Sequence, residues 1–440
     1  MKNILTIITL MALTLGLQAQ DGVNKPLSQY GLGLGNGTSN MPVATAMGGV
    51  AYTTAANNIV NPYNPASYAA IQKESFVFDM GFGVSMVTQR DADSKLFDGD
   101  GNVAYVSVAF PLTRWWKTAL SLQPLSDMSY QSVNTAALPG VDSGTVRTSY
   151  AGTGGVTRIL WGHAFNIVPD RLALGFNVNF YHGYISREIN YIFSAPDTLP
   201  QYMNVCRQKV TLIRNFTFDA GLQYFQPLGK DYLLGIGLTA ATPRTMTVSD
   251  NALVRTFVLQ NGYPSYRDTI FPNRGESPEY QSTLKMPLQV GLGLSLQHNA
   301  QWRVALDMSY AAWSGTQYED NQQLFGSTAV VYDRNLRGAL GFQMLGDMDA
   351  AAYARRITYS AGVHYEQGKL RLDIGGNNHC LNEWGFGFGA SLPMRKGKSS
   401  LTISAGYSSF GTGDLLRQSA FTIGVGLGSC ESWFVKKKYN

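Results

Sequence analysis

Cysteine is scarce in this 440-residue chain: Cys206, Cys380 and Cys430 are the only three, far apart and without a CxxC pair. That count excludes a disulfide scaffold and a cysteine-ligated zinc site. Charge is scarce too. Asp, Glu, Lys and Arg make up 14% of the residues, and the net charge of +5 is scattered apart from Lys436–Lys438 at the end, so no basic face for nucleic acid is expected. After the first twenty residues no apolar run approaches the roughly 20 residues that a membrane helix needs. The five histidines, His163, His182, His298, His364 and His379, have no nucleophile motif such as GxSxG beside them, so the chain is not read as an enzyme. Asp91, Asp93, Asp98 and Asp100 lack the twelve-residue calcium-loop pattern and read as a solvated loop. No metal or cofactor is expected.

What the chain has in quantity is glycine (47), tyrosine (24) and phenylalanine (21), a composition that suits sheet and weakens helix. Its first twenty residues are read separately. Lys2 gives a positive start, Ile4 to Leu17 is an apolar run too short to span a bilayer, and Ala19 is a small residue before Gln20. That is the pattern of a secretory signal peptide over residues 1–20. The absence of Cys there excludes a lipoprotein anchor.

Period-two alternation dominates the rest. Phe76, Phe78, Met80, Phe82, Val84 and Met86 fall on one face, with Ser75, Asp79, Gly81, Gly83 and Ser85 on the other. The same pattern recurs at Leu172 to Phe180, Leu288 to Leu296, Trp384 to Phe388 and Phe421 to Leu427. These runs reach or exceed the about 9 to 11 tilted residues that cross a hydrocarbon layer. Short links, as at Pro169–Asp170, Gly229 and Asn299–Ala300, alternate with longer polar stretches such as 90–102, 136–147, 195–205, 250–279 and 319–329. The expected fold is therefore all-β: an antiparallel transmembrane β-barrel of about 14 strands, with short periplasmic turns and long outer loops. An even count places both termini in the periplasm. The ninth strand is expected over 301–318 and the eleventh over 355–374, the latter as one long bent strand through Gly368, since a hairpin there would break the parity. Trp115, Trp116, Trp302 and Trp433 fall at periplasmic ends, where indoles settle at a lipid interface. Cys206 and Cys380 both fall at outer ends, where they could pair.

A barrel of that width needs a filler. Residues 21–73 are rich in Gly, Ala, Ser, Thr and Asn, with no sustained period, and contain Gly48-Gly49 and the turn signal Asn64-Pro65-Ala66. They are expected to form a hatch inside the lumen. The division is thus signal peptide 1–20, hatch 21–73, barrel 74–430 and basic periplasmic tail 431–440.

The glycine-rich hatch motif (Gly48, Gly49, Asn64, Pro65, Ala66) before an aromatic first strand resembles the FadL family of outer-membrane transporters for long-chain fatty acids and other hydrophobic compounds. Leu284 to Gln297, Trp302 and Ser309 to Ser314 are similar to that family's strand pair ending in Trp-Ser. The resemblance implies passive uptake of a hydrophobic small-molecule ligand into a plugged barrel in contact with outer-membrane lipid, and lateral exit where the third strand is kinked. The matching kink is Gln123-Pro124-Leu125-Ser126-Asp127: Pro removes a ladder donor, so Pro124, with Ser126 and Asp127, marks a break and a lateral gate. The ending Glu431 to Tyr439 resembles the Bacteroidota branch of the family. That branch implies the alternative function: an accessory or plug subunit docked on a type 9 protein secretion translocon barrel, with no transport of its own.

Overall fold

The computed structural model describes residues 25–29, 34–35, 41–90, 95–194, 202–271, 278–313, 330–368, 370–374, 377–394, 397–412 and 416–432. The signal segment 1–20, Trp433 and most of the basic tail lie outside the described residues.

Fourteen antiparallel strands close into a barrel. In chain order they are β1 (Ser75–Arg90), β2 (Lys95–Pro111), β3 (Trp116–Ala137), β4 (Thr145–Val168), β5 (Leu172–Ser194) and β6 (Asn204–Leu228). Next come β7 (Tyr232–Ala241, continued by Arg244–Gln260) and β8 (Glu279–Met286, continued by Gln289–His298). The ring is completed by β9 (Trp302–Ala311), β10 (Asn335–Met344), β11 (Thr358–Gln367), β12 (Asn382–Met394), β13 (Ser399–Thr412) and β14 (Leu416–Ser432). β14 returns to β1 along its whole length, from Ser75 opposite Ser432 to Arg90 opposite Arg417, which closes the ring.

The alternation decides which way each strand faces. On β5, Leu174 and Phe176 are exposed while Asn177 and Asn179 are wholly buried; on β8, Leu292 and Leu294 are exposed and Ser295 is buried. An inverted arrangement, apolar outside and polar inside, is stable only against lipid. Among the described residues no helix is long and apolar enough to cross a membrane.

The wall is uneven in height. β3 to β6 run 22 to 25 residues, whereas β9, β10 and β11 have 10 each. At about 3.3 Å per residue the long strands extend roughly 70 to 80 Å, well past a hydrocarbon layer of about 30 Å even when steeply tilted. Their inner faces are packed by Met128, Val156, Ile185, Ile213, Met246 and Leu284, and by a buried Lys209–Asp250 ion pair at 3.5 Å.

Strand number agrees with the periodicity, but several boundaries do not. Much of 90–102 and 250–279, expected as polar loop, is strand: β2 starts at Lys95, and β7 runs to Gln260 and turns into a hairpin strand, Tyr263–Ile270. Apolar and polar residues share both faces there, so no period-two signal marks the strands. Asp98 and Asp100, read as solvated loop, therefore lie on β2. β9 ends at Ala311, short of 318, and the described part of the later stretch contributes no barrel strand. The bent eleventh strand is also corrected. β11 stops at Gln367, and Leu370–Ile374 pairs instead with Asn377–Cys380 and Val330–Tyr332 in a separate three-stranded sheet, so the parity survives a break at Gly368. A side chain on Gly368 would collide with the carbonyl of Leu381. Pro243 and Pro287 interrupt β7 and β8 side by side, each lacking the ladder donor that a continuous strand requires. Cys206 and Cys380 do not pair: all three cysteines are free.

Candidate functional site

Residues 41–71 are mostly buried, and they bond to side chains or backbone of β1, β5, β6, β9, β10 and β13. A short helix, α1 (Pro42–Ala46), leads into Gly48 and Gly49, both at positive φ (65° and 91°), a turn that only glycine adopts without strain. Gly48 lies so close to the β11 backbone that a Cβ would strike the amide of Val363. Farther on, Asn64 caps the 3-10 turn Pro65–Ala70, accepting from the Ala66 amide at 3.1 Å. Its Nδ2 donates to Tyr52 O at 2.8 Å and to Leu222 O of β6 at 3.1 Å, so one side chain shapes the turn and ties it to the wall. Pro65 and Ala66 rest on Gly175 of β5 and Gly221 of β6, where any side chain would collide with them. The hatch motif is thus brought together against β5, β6 and β11.

Wall side chains hold the segment's backbone elsewhere. Asp307 of β9 accepts from the amides of Ala51 and Tyr52 at 2.6 and 2.8 Å, and Asp79 of β1 accepts from Val60 at 2.9 Å. Arg303 of β9 donates to Thr53 O at 2.7 Å, and Arg337 of β10 reaches the carbonyl of Gly49 at 3.3 Å. The Tyr68 hydroxyl donates to Asn177 Oδ1 at 3.1 Å, and burial pushes its phenol up, keeping it a neutral donor.

The kink lies one wall farther round. β2 and β3 pair only from Val106 opposite Leu122 to Pro111 opposite Lys117. Beyond Leu122, β2 stays with β1 while β3 stays with β4, and the two separate. On its other edge β3 carries a bulge: Pro124 faces Thr157 and Ser126 faces Val156, leaving Leu125 as the extra residue. Pro124, Ser126 and Asp127 are therefore placed together at a gap in the wall. Pro42, Thr45 and Pro62 border a cavity of about 560 Å³, and both lips of the gap line it: Asp100, Asn102 and Ala104 from β2, Leu125 from β3. Phe82, Tyr52, Tyr63, Tyr181, Arg158 and Asp219 also face it.

The whole chain, residues 1–440, matches the profile of BamG. The chain belongs to the BamG family. No curated protein matches it by sequence. Among solved structures it is similar to a Pseudomonas aeruginosa FadL homologue, at 13% identity and a TM-score of 0.56, covering 89% of this chain and 98% of that one. It is also similar to the Pseudomonas putida toluene transporter TodX, at 15% identity and 0.53, covering 90% and 98%. The Ralstonia pickettii toluene transporter TbuX follows at 15% and 0.51, covering 89% and 98%. At such identities the likeness is one of fold: this BamG-family chain is an outer-membrane β-barrel with the architecture of FadL-type channels.

Two parts of this BamG-family site were not read from the sequence. Gly155 on β4 receives the bulge, where a Cβ would meet Ser126 O at 2.6 Å, while its neighbour Gly154, at φ 121°, lies against Tyr184 O of β5. Pro124 signalled the break, but nothing local assigned Gly155 to it. Arg158 is the other. It follows the bulge on β4, its Nη2 donates to Gln123 Oε1, and its Nε is buried with no hydrogen-bond partner among the described residues. In a run of alternating strand it looks like any inward polar residue. Four of the five histidines, His163, His182, His298 and His364, make side-chain contacts within the wall. His163 accepts from Trp116 Nε1 at 3.1 Å and His182 stacks on Phe180.

The anchors carry a measurable consequence. Asp307→Ala removes the acceptor of two adjacent amides, and a buried donor left unpaired costs about 1–3 kcal/mol. Hydrogen exchange at Ala51 and Tyr52 is expected to accelerate on the order of tenfold to hundredfold, with Asp307→Asn in between. Exchange equal to that of the unmodified protein would show that Asp307 does not hold the segment.

Proposed function

We propose that this BamG-family barrel is a channel of FadL type that takes up long-chain fatty acids or other hydrophobic small molecules passively. The observation that carries the reading is the separation of β2 from β3 beyond Leu122 where both strands line the cavity. An apolar molecule that leaves a lumen sideways into lipid never enters water, which spares it the cost of hydrating its apolar surface. In this reading residues 21–73 are the plug, 74–430 the barrel, both termini are periplasmic after removal of residues 1–20, and Pro124, Ser126 and Asp127 form the gate. The toluene transporters named above support an apolar cargo by analogy of fold. The mixed lining of the present cavity favours a cargo with a polar end: Arg158, with its unpartnered Nε among Tyr63 and Tyr181, suits a carboxylate. The alternative, an accessory subunit of a type 9 secretion translocon, rests on the basic tail, whose residues from Trp433 onward lie outside the described structure.

Arg158 provides the test. In detergent-solubilised protein, Arg158→Met is expected to weaken oleate binding by about 10- to 100-fold, the value of a charge-assisted hydrogen bond near 1.5–3 kcal/mol, while toluene binding stays level. Equal loss for both ligands would remove Arg158 as the carboxylate partner. Absence of any lipid binding by the unmodified barrel, with no uptake of labelled oleate by cells that produce it, would sink the transport reading.

A further inference from the structure

The gap between β2 and β3 is not left bare: a piece of chain ahead of the buried residues 41–71 lies along its β3 lip. The Lys25 amide donates to Ser129 O at 2.6 Å, and Ser28 Oγ accepts from the Ser129 amide at 3.1 Å. Leu34 pairs with Asp127 and Gly35 with Ser126 in antiparallel register. All four contacts fall on Ser126 to Ser129, the stretch immediately past the bulge where β3 has lost β2 as its partner. An exposed strand edge attracts another strand, and here the chain supplies one itself. The same piece reaches the opposite lip through one side chain. Lys25 Nζ lies 2.7 Å from Asp127 Oδ2 on β3 and 3.3 Å from Asp100 Oδ2 on β2.

We infer that Lys25–Gln29 and Leu34–Gly35 form a gate leaf that substitutes for the missing strand pairing, and that Lys25 is the pin that fastens it to both lips. Three features point the same way. Among the described residues the backbone bonds fix the leaf to β3 and the Lys25 tie joins it to β2, so in this reading it moves with the β3 lip when that tie breaks. The tie is an ammonium shared by two carboxylates, and all three side chains are mostly shielded, at 13%, 24% and 37% exposure, so salt screens it less than a surface pair. Burial works against the Lys25 ammonium, yet Asp127 and Asp100 together raise its affinity for the proton above the ordinary range, so it stays charged. Lys25 also lines the cavity, which places the pin within reach of whatever occupies the lumen. A cargo carrying an anionic end there would compete with Asp100 and Asp127 for the same ammonium. Arrival of cargo and release of the leaf are thereby coupled.

The gating role rests on the lateral-exit reading, so the test separates the two. In a background with Cys206, Cys380 and Cys430 replaced by alanine, Ser126→Cys is a single reporter under the leaf, read by its modification rate with a maleimide. Lys25→Met is expected to raise that rate by about tenfold, the effect of losing one charge-assisted tie, and Lys25→Arg to return it close to the Lys25 value. A rate unmoved by Lys25→Met overturns the pin whatever uptake does. The second arm joins the directly opposed pair as Gly35→Cys with Ser126→Cys, which oxidation should link because facing antiparallel residues have suitable spacing. The linked barrel is expected to lose oleate uptake and to regain it on reduction; full uptake through a linked leaf overturns the gate. If the unmodified barrel takes up no oleate while the modification rates respond as stated, the transport reading fails and the pinned leaf stands.

Discussion

Deleting residues 42–71 should convert a closed barrel into an open pore, with single-channel conductance in planar bilayers rising at least about tenfold over the intact chain, as expected of a wide barrel with its filler removed. The expectation follows from where the segment touches the wall. Asp79 on β1, Asn177 on β5, Leu222 on β6, Asp307 on β9, Arg337 on β10 and Ser400 on β13 all bond to it, and a segment held from so many sides of one ring lies across the lumen. The wall does not depend on it for its strand pairing, because β1 and β14 close the ring directly. The groups uncovered are mainly carboxylates, amides, hydroxyls and guanidinium groups, which water can satisfy. A milder variant guards against misassembly of the deletion. Gly175→Leu places a side chain where the backbone of Pro65 and Ala66 now lies, and partial conductance should appear with the barrel intact. Conductance of the deletion equal to that of the intact protein would show that the segment is no plug.

The second large effect concerns the wall. Replacing Pro124 by Val and removing Leu125 should abolish most uptake while leaving oleate binding in place. Pro124 supplies no ladder donor, and Leu125 is the extra residue that puts Pro124 opposite Thr157 and Ser126 opposite Val156. With both corrected, β3 can run straight and meet β2 above Leu122, where the two now part. Each restored ladder bond adds about 0.5–1.5 kcal/mol, so three of them would lower the open population by a factor on the order of one hundred. Vesicles carrying the barrel and an internal fatty-acid sensor would report it. Unchanged uptake in the straightened strand would rule out this gap as the exit, since the rest of the barrel is untouched.

The legible parts of the protein were those in which one residue acts through its own covalent character. Phe76 to Met86 and Leu172 to Phe180 announce strands because alternation is a property of the backbone pleat, and their length beyond soluble strands announces a bilayer. Pro124 announces a break because it has no N–H. Asn64-Pro65-Ala66 announces a tight turn because Asn caps it and Pro fixes the first dihedral. Local rules failed where the alternation breaks down. Lys95 to Gly101 and Asp250 to Gln260 are strands in which apolar and polar residues share both faces, so periodicity of hydrophobicity passes over them. Gly368 was read as the bend of one long strand, because nothing local shows that the chain after it leaves the wall for a separate sheet.

By itself, then, the sequence determined an apolar-out barrel of fourteen strands and, at Pro124, a residue that cannot donate to the ladder, since each follows from pleat period, chain length and backbone chemistry. Only the tertiary structure decided what stands opposite what. That Gly155 receives the bulge, that Arg158 comes to face the cavity, and that Lys25 reaches Asp100 and Asp127 depend on register between strands and on chain closure. Those pairings join residues up to 102 positions apart, and no local preference encodes a contact whose partner is set by the path of the intervening chain.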